Sequence, residues 1–128
     1  MKRAILCLVF LLIFQAHNAE ARIHKITAYC ACVKCCGIWK DGRLISDKYC
    51  DGITASGKKA RPGMVACNYL DFGSRILISG LGMFTVQDRG SRKYFGSKQR
   101  RKYAIDIYMD NHDDAKQFGV KHLDVILK

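Results

Sequence analysis

Two aspartates in strand-like segments carry the strongest chemical signal in this sequence. Asp88 directly follows the segment 83–87, and Asp106 stands between Ile105 and Ile107. Alternation along a strand turns the Asp106 side chain to the face opposite the two isoleucines. Acidic side chains are depleted in strands and costly to desolvate, so both positions indicate a functional role. A pair of carboxylates of this kind is suited to acid–base catalysis.

Both aspartates also have a structural interpretation. Asp88 precedes Arg89-Gly90 and would serve as a turn-forming residue that hydrogen-bonds its own loop. Asp106 would hold loop amides as a structural carboxylate. The surroundings of the two side chains decide between these roles and catalysis.

The N-terminal 21 residues have the pattern of a signal peptide. Lys2 and Arg3 precede an apolar stretch at 4–14, which is too short for a stable membrane anchor, and Ala19-Glu20-Ala21 fits a cleavage site. We therefore predict a signal peptide at 1–21 and one domain at 22–128, exported to the periplasm or cell envelope or secreted. An uncleaved anchor is the alternative.

Six cysteines follow the predicted leader, which itself contains Cys7. An even number in a small exported domain predicts disulfides, up to three here, and no metal or other cofactor. A zinc site is the alternative, because Cys32-x-x-Cys35 has zinc-type spacing, but no second pair of that spacing follows. The six predicted disulfide cysteines are Cys30, Cys32, Cys35, Cys36, Cys50 and Cys67.

The charge of the chain favours anionic partners. Loss of Lys2, Arg3 and Glu20 with the leader changes the net charge from +11 to +10. Such a surface suits peptidoglycan or another anionic polysaccharide. Nucleic acid is disfavoured because the basic cluster 98–102 has no aromatic platform beside it. With export and two candidate acid–base groups, the charge points to chemistry on a sugar polymer.

The order of elements predicts a mainly β fold. Strand-like segments lie at 23–29, 64–67, 75–78, 83–87, 103–109 and 121–127, and a short helix at 114–118 ends at Gly119. Many short strands with glycine turns indicate a small closed barrel, here of six strands, with one or two short helices and a cysteine-bridged N-terminal loop at 30–50. We expect a monomer with no membrane-spanning segment after cleavage.

Eight short motifs, taken in order, resemble the three-aspartate (3D) domain family. They are Thr27-Ala28-Tyr29-Cys30, Thr54-Ala55-Ser56-Gly57, Val65-Ala66-Cys67-Asn68, Phe72-Gly73-Ser74, Asp88-Arg89-Gly90, Ile105-Asp106-Ile107-Tyr108, Ala115 with Phe118-Gly119, and Val125-Ile126-Leu127. The resemblance implies a double-psi β-barrel, as in lytic transglycosylase A and the resuscitation-related cell-wall proteins. It also implies export and a role in peptidoglycan turnover.

The resemblance assigns roles residue by residue. The family's second and third aspartates match Asp88 and Asp106, and the position of the first is Asn68, a departure from the family pattern. Asp106 corresponds to the proposed catalytic acid of lytic transglycosylases of this fold. The expected catalytic residues are therefore Asp106 and Asp88. The expected substrate-binding residues are Asn68, Thr54, Ser56, Tyr29 and Tyr108.

Two functions fit these residues. The first is an enzyme that cleaves peptidoglycan glycan strands, in which one acid protonates the glycosidic oxygen and then acts as base. The second is a non-catalytic, expansin-like wall-binding module, and a secreted binder of other polyanions is a third. Thr54 and Ser56 are also common turn formers, and Tyr29 and Tyr108 also suit half-buried barrel positions. Trp39 is either a sugar contact or a loop anchor.

Overall fold

The computed structural model describes residues 20–128, so the predicted signal peptide falls almost wholly outside the described residues. Eight strands and three short helices follow in chain order. They are β1 (Arg22–Tyr29), α1 (Val33–Cys36), β2 (Ile38–Lys40), β3 (Arg43–Ser46), β4 (Met64–Ala66), β5 (Arg75–Ile78), β6 (Gly82–Asp88), α2 (Arg92–Phe95), β7 (Ala104–Tyr108), α3 (His112–Phe118) and β8 (Lys121–Leu127).

Six strands close into a barrel in the order β1-β7-β4-β6-β5-β8. The β1·β7 and β4·β6 pairs are parallel, and the other four pairs are antiparallel. The prediction of a small, mainly β, six-stranded closed barrel is confirmed. Each barrel strand overlaps one of the six segments predicted from composition and alternation.

The barrel interior is filled by branched aliphatic side chains. The core cluster includes Ile26, Val65, Ile76, Val86 and Ile105, each with no exposed surface. In β1 and β5 the buried residues alternate with more exposed ones, which is the period-2 pattern of a strand with one buried face, whereas all three residues of β4 are buried. The barrel is therefore a packed core, and a binding site has to lie on its outer surface or among its loops.

The sequence prediction lacks four short elements of the loops. Helices α1 and α2 are single turns of four residues, too short to leave a helical periodicity in the sequence. Strands β2 and β3 form a separate hairpin whose two-residue turn is Asp41-Gly42, both with positive φ, as a type I′ turn requires. Residues 20–128 thus contain three helices rather than one or two.

The predicted disulfides are corrected by the structure. All six cysteines within residues 20–128 are free. Cys30 Sγ and Cys35 Sγ lie 3.7 Å apart, well beyond the length of about 2.05 Å that a disulfide bond has. The loop after β1 is therefore rich in cysteine but unbridged here. No helix within residues 20–128 has the length and apolar character needed to cross a bilayer.

Candidate functional site

A row of side chains crosses four neighbouring barrel strands and brings the two aspartates to one surface. Thr27 on β1 pairs with Asp106 on β7, Asp106 pairs with Ala66 on β4, and Ala66 pairs with Asp88 on β6. Residues directly opposite one another share a face of the sheet. Asp88 and Asp106 stand two strands apart, which corresponds to about 10 Å between their Cα atoms.

A β-bulge places Asp88 in this row. Val65 pairs with Val86, and an unbroken register would set Ala66 opposite Gln87. The register shifts after Val65, so that Ala66 pairs with Asp88. Gln87 is consequently buried, and Asp88 reaches the surface that Asp106 occupies. A bulge of this kind redirects a side chain without changing the strand order.

Asp106 has the surroundings of a proton donor. The Thr27 hydroxyl donates a hydrogen bond of 2.7 Å to Asp106 Oδ1, and Oδ2 has no hydrogen-bond partner among residues 20–128. Burial raises the pKa of Asp106 to about 6, and the nearby charge of Asp88 acts in the same direction, while Thr27 and Lys25 oppose it. The carboxyl group is therefore protonated in weakly acidic solution and has one oxygen free to meet a ligand.

Asp88 is held as a hydrogen-bond acceptor on both oxygens. Oδ1 accepts from the backbone N–H groups of Ala55 and Arg89, at 2.9 and 2.8 Å. Oδ2 accepts from the Tyr29 hydroxyl at 2.5 Å. Burial, followed by this bond to Asp88, raises the pKa of Tyr29 well above its ordinary value, so the phenol remains a donor. Asp88 therefore holds the 54–57 turn and Tyr29 in place beside Asp106. Its negative charge also raises the pKa of Asp106.

A groove of about 1070 Å³ lies over this row. Thr27, Asp88 and Asp106 line it, and the loop that follows β1 supplies one wall. Three exposed aromatic side chains stand along the groove: Trp39, Tyr49 and Tyr94. The lining also contains three basic side chains, Lys25, Lys48 and Arg89. The site thus combines an acidic floor, an aromatic rim and positive charge.

The predicted substrate residues divide into two groups. Tyr29 and Thr54 line the groove. Ser56 and Tyr108 do not line the groove but contact these two residues. The Ser56 hydroxyl lies 3.0 Å from that of Thr54, and the Tyr108 ring packs edge-on against the Tyr29 ring with 5.5 Å between their centroids. Asn68 is not part of the groove lining within the described residues.

Asn68 instead joins two loops through its amide group. Its Nδ2 donates to the carbonyl oxygens of Gly90 and Gly96, at 2.9 and 2.8 Å, and its Oδ1 accepts from Gly90 N at 2.8 Å. An amide can do this because it carries a donor and an acceptor, whereas an ionised carboxylate only accepts. The side chain at position 68 therefore holds the loop that contains α2.

Asn68→Asp is expected to destabilise the protein by about 2–4 kcal/mol near neutral pH. The carboxylate would face two carbonyl oxygens that have lost their donor. Chemical denaturation of both proteins measures the effect. Asp71→Asn, at an exposed ion pair with Lys98, is the matched control and should leave stability nearly unchanged. Equal stability of Asn68→Asp and the parent would contradict the assigned role.

Several residues of the site carry no signal in the sequence. Thr27 looks like an ordinary strand residue until the β1·β7 register sets it against Asp106. Arg89 donates to the Cys67 carbonyl at 2.6 Å, and its guanidinium stacks 3.8 Å from the Phe72 ring, so it is held rigidly beside the groove. Tyr49 lies in a loop and Tyr94 in the single turn α2, and only the unusual exposure of their aromatic rings identifies them.

A second cluster lies where β1 and β7 end. The thiols of Cys30, Cys32 and Cys35 and the imidazole Nδ1 of His112 lie within 4.8 Å of one another. The sequence predicted no metal site, because no second ligand pair follows Cys32-x-x-Cys35. The fold supplies His112 as a fourth side chain from 77 residues further along the chain.

Comparison with known proteins adds no assignment to this geometry. No family model matches the sequence. No curated protein matches it either.

Proposed function

We propose that the groove binds a glycan strand of a cell-wall polymer and that Asp106 protonates the glycosidic oxygen as the bond is cleaved. The observation that carries this proposal is the carboxyl group of Asp106 itself. It lines a large groove, has a pKa raised to about 6 and keeps one oxygen free. General acids work best when their pKa lies near the working pH.

The presence of one free carboxyl group in the pair Asp88 and Asp106 favours a transglycosylase-type reaction. Hydrolysis of a glycoside normally uses two carboxylates, one on each side of the bond. Asp88 is already bonded at both oxygens, so Asp106 is the member of this aspartate pair that is available for proton transfer. In the proposed reaction Asp106 gives its proton to the leaving oxygen. The carboxylate then takes the proton of the sugar's own 6-hydroxyl as that oxygen closes on C1 to form a 1,6-anhydro end.

The aromatic rim and the basic side chains support an anionic glycan as substrate. Flat aromatic faces suit the apolar faces of sugar rings, and exposed aromatics are common binding anchors. Lys25, Lys48 and Arg89 would attract the carboxylates of peptidoglycan stem peptides. Membership of the three-aspartate domain family, with its double-psi barrel, export and wall turnover, belongs to the same proposal. We place the protein outside the cytoplasm and acting as a monomer.

A non-catalytic wall-binding module is the second candidate. The observation that favours it is the use of Asp88 and Asn68 as fixed structural groups, which leaves one active carboxyl group instead of three. Incubation of the purified protein with peptidoglycan separates the two. The enzyme releases anhydro-muropeptides that mass spectrometry detects, whereas the binding module retains sacculi and releases no product.

Tyr94→Ala is expected to weaken binding to peptidoglycan about tenfold, which corresponds to about 1.4 kcal/mol. The side chain is 59% exposed beside the groove, so its removal takes away binding area without opening the core. Val120→Ala is the matched control, because Val120 is also 59% exposed and does not line the groove. Co-sedimentation with sacculi measures both. If the two variants bind alike, the rim is not part of the binding surface.

A further inference from the structure

Four side chains with soft or borderline donor atoms converge beside the barrel, outside the row that contains Asp106. His112 Nδ1 lies 3.5 Å from Cys32 Sγ, 3.5 Å from Cys35 Sγ and 3.9 Å from Cys30 Sγ. Cys30 Sγ and Cys35 Sγ are 3.7 Å apart. The donor set is therefore three sulfurs and one imidazole nitrogen facing a common centre.

These distances match the edges of a zinc tetrahedron. With Zn–S bonds of about 2.3 Å and Zn–N bonds of about 2.0–2.1 Å, tetrahedral angles place two sulfurs about 3.8 Å apart and a sulfur and nitrogen about 3.6 Å apart. The four measured separations differ from these values by at most a few tenths of an ångström. A disulfide within the cluster would require two sulfurs to approach to about 2.05 Å.

The fold holds the ligands on two rigid supports. Strands β1 and β7 run parallel and end side by side, with Tyr29 opposite Tyr108 and Met109 N donating to the Tyr29 carbonyl at 2.8 Å. Cys30 follows β1 directly. His112 begins α3, whose start is fixed by the Asn111 side chain, which accepts from Asp114 N at 2.8 Å. Cys30 and His112 are thus placed by the barrel and do not depend on the loop.

The loop after β1 lacks any other anchor of comparable strength. None of residues 31–53 is buried, and the β2–β3 hairpin is exposed along nearly its whole length. Burial of apolar surface therefore contributes little to holding this segment against the barrel. The same segment supplies Cys35, Trp39 and Tyr49 to the wall of the groove. A bond between Cys32, Cys35 and the barrel-borne ligands would fix that wall.

We propose that Cys30, Cys32, Cys35 and His112 bind one zinc ion and that this ion fixes the N-terminal loop to the barrel. Cys₃His sites are tetrahedral and structural, because four protein ligands leave no position for water or substrate. Thiolate ligands select zinc over magnesium or calcium. Binding releases the three thiol protons to solvent as the three sulfur–zinc bonds form.

Metal analysis of the full protein, prepared under reducing conditions and supplied with Zn²⁺, tests the site. We expect one zinc per chain. Co²⁺ in place of zinc should give the absorption of a tetrahedral site with thiolate charge-transfer bands. Loss of an outer-shell partner of a metal site typically weakens metal binding by about 10–100-fold. His112 is a direct ligand of the proposed site, so His112→Gln should weaken zinc binding by more than this. Cys32→Ser should have a similar effect.

A cysteine and a histidine outside the cluster provide matched controls. Cys36→Ser removes the thiol next to Cys35, and His122→Gln removes a histidine on β8, and neither residue belongs to the cluster. Both variants should keep one zinc per chain. Equal binding by Cys36→Ser and Cys32→Ser, or no zinc in the reduced parent protein, would overturn the proposal. If a variant fails to fold, the number of sulfur ligands can still be obtained from the intensity of the charge-transfer bands in the cobalt spectrum of the parent protein.

The role of the ion has a separate readout. Removal of zinc with a chelator should increase hydrogen exchange in residues 31–53 and leave the barrel strands protected. Uniform loss of protection, or none, would show that the ion does not anchor this loop. Neither measurement uses peptidoglycan, so failure of the zinc site and failure of the proposed glycan cleavage are distinguishable.

Discussion

Asp106→Asn is expected to lower the rate of anhydro-muropeptide release by about 10²–10⁴-fold, the contribution typical of a positioned general acid. Asparagine keeps the size of the side chain and still accepts from the Thr27 hydroxyl, which donates to Asp106 Oδ1 in the parent. It has no proton of suitable acidity to give to a leaving oxygen. Product release from peptidoglycan, followed by mass spectrometry, measures the rate, and sacculus retention should remain within about twofold.

The same variant should be more stable than the parent above pH 6. Because burial raises the pKa of Asp106 above that of an unfolded chain, the folded state gives up stability as pH rises from about 4 to about 6. Asparagine carries no charge and escapes this loss. After allowance for partial solvent exposure, we expect a gain of about 2 kcal/mol at pH 7–8 and little difference at pH 4.

These two measurements separate a catalytic role of Asp106 from a structural one. A structural carboxylate bonded to loop amides would lose stability at all pH values when it becomes asparagine. A wild-type protein that retains sacculi but releases no product would remove the enzyme and leave the wall-binding module. Asp88→Asn provides the comparison, since it should reduce the rate by a smaller factor through loss of positioning.

The barrel itself could be predicted because its strands obey a local rule. Ile105 and Ile107 enclose Asp106, and this alternation alone indicates which face is buried. Neighbouring residues of a strand point to opposite faces. When Ile105 and Ile107 face the core, Asp106 therefore faces the other side of the sheet. Local patterns of this kind indicate all six barrel segments, although they do not give the order of the strands around the barrel.

The arrangement of the candidate site depends on pairing, which local patterns do not contain. The bulge after Val65 exchanges Gln87 for Asp88 in the row with Asp106, and no residue type in β4 or β6 signals that shift. The barrel order likewise sets Thr27 beside Asp106, although 79 residues separate them. Register between distant strands is a property of the closed barrel, because one slip would turn every side chain to the other face.

The ligands of the proposed zinc site also depend on contacts between distant residues, which local sequence patterns do not contain. An even number of cysteines in a small domain that is predicted to be exported favours disulfides, because the count says nothing of which side chains the fold brings near them. The position of His112 depends on the parallel β1·β7 pair and on α3 beginning four residues after Tyr108. The interpretation as zinc ligands therefore requires the fold. The single turn α1, between Cys32 and Gly37, was missed for a related reason.

The alkaline limb of the pH–rate profile provides the second large effect. If Asp106 gives its proton to the glycosidic oxygen, the rate should be constant below about pH 6 and fall about tenfold for each further pH unit. The rate falls as pH rises because the active form of Asp106 is the protonated one, which is lost above its pKa. Anhydro-muropeptide release at limiting substrate, measured across this range, gives the limb.

Two variants should move this limb in opposite directions, each on the order of one pH unit or less. Asp88→Asn removes a nearby negative charge that raises the pKa of Asp106, so the rate should begin to fall at lower pH. Thr27→Val removes the hydroxyl that donates to Asp106 Oδ1 and lowers its pKa, so the fall should begin at higher pH. Valine is close to threonine in shape and keeps the strand intact. Asp88 raises the pKa of Asp106 and Thr27 lowers it, so the two variants have opposite expected shifts. If the alkaline limb stays in place in both variants, or moves in the same direction in both, a group other than Asp106 controls the rate.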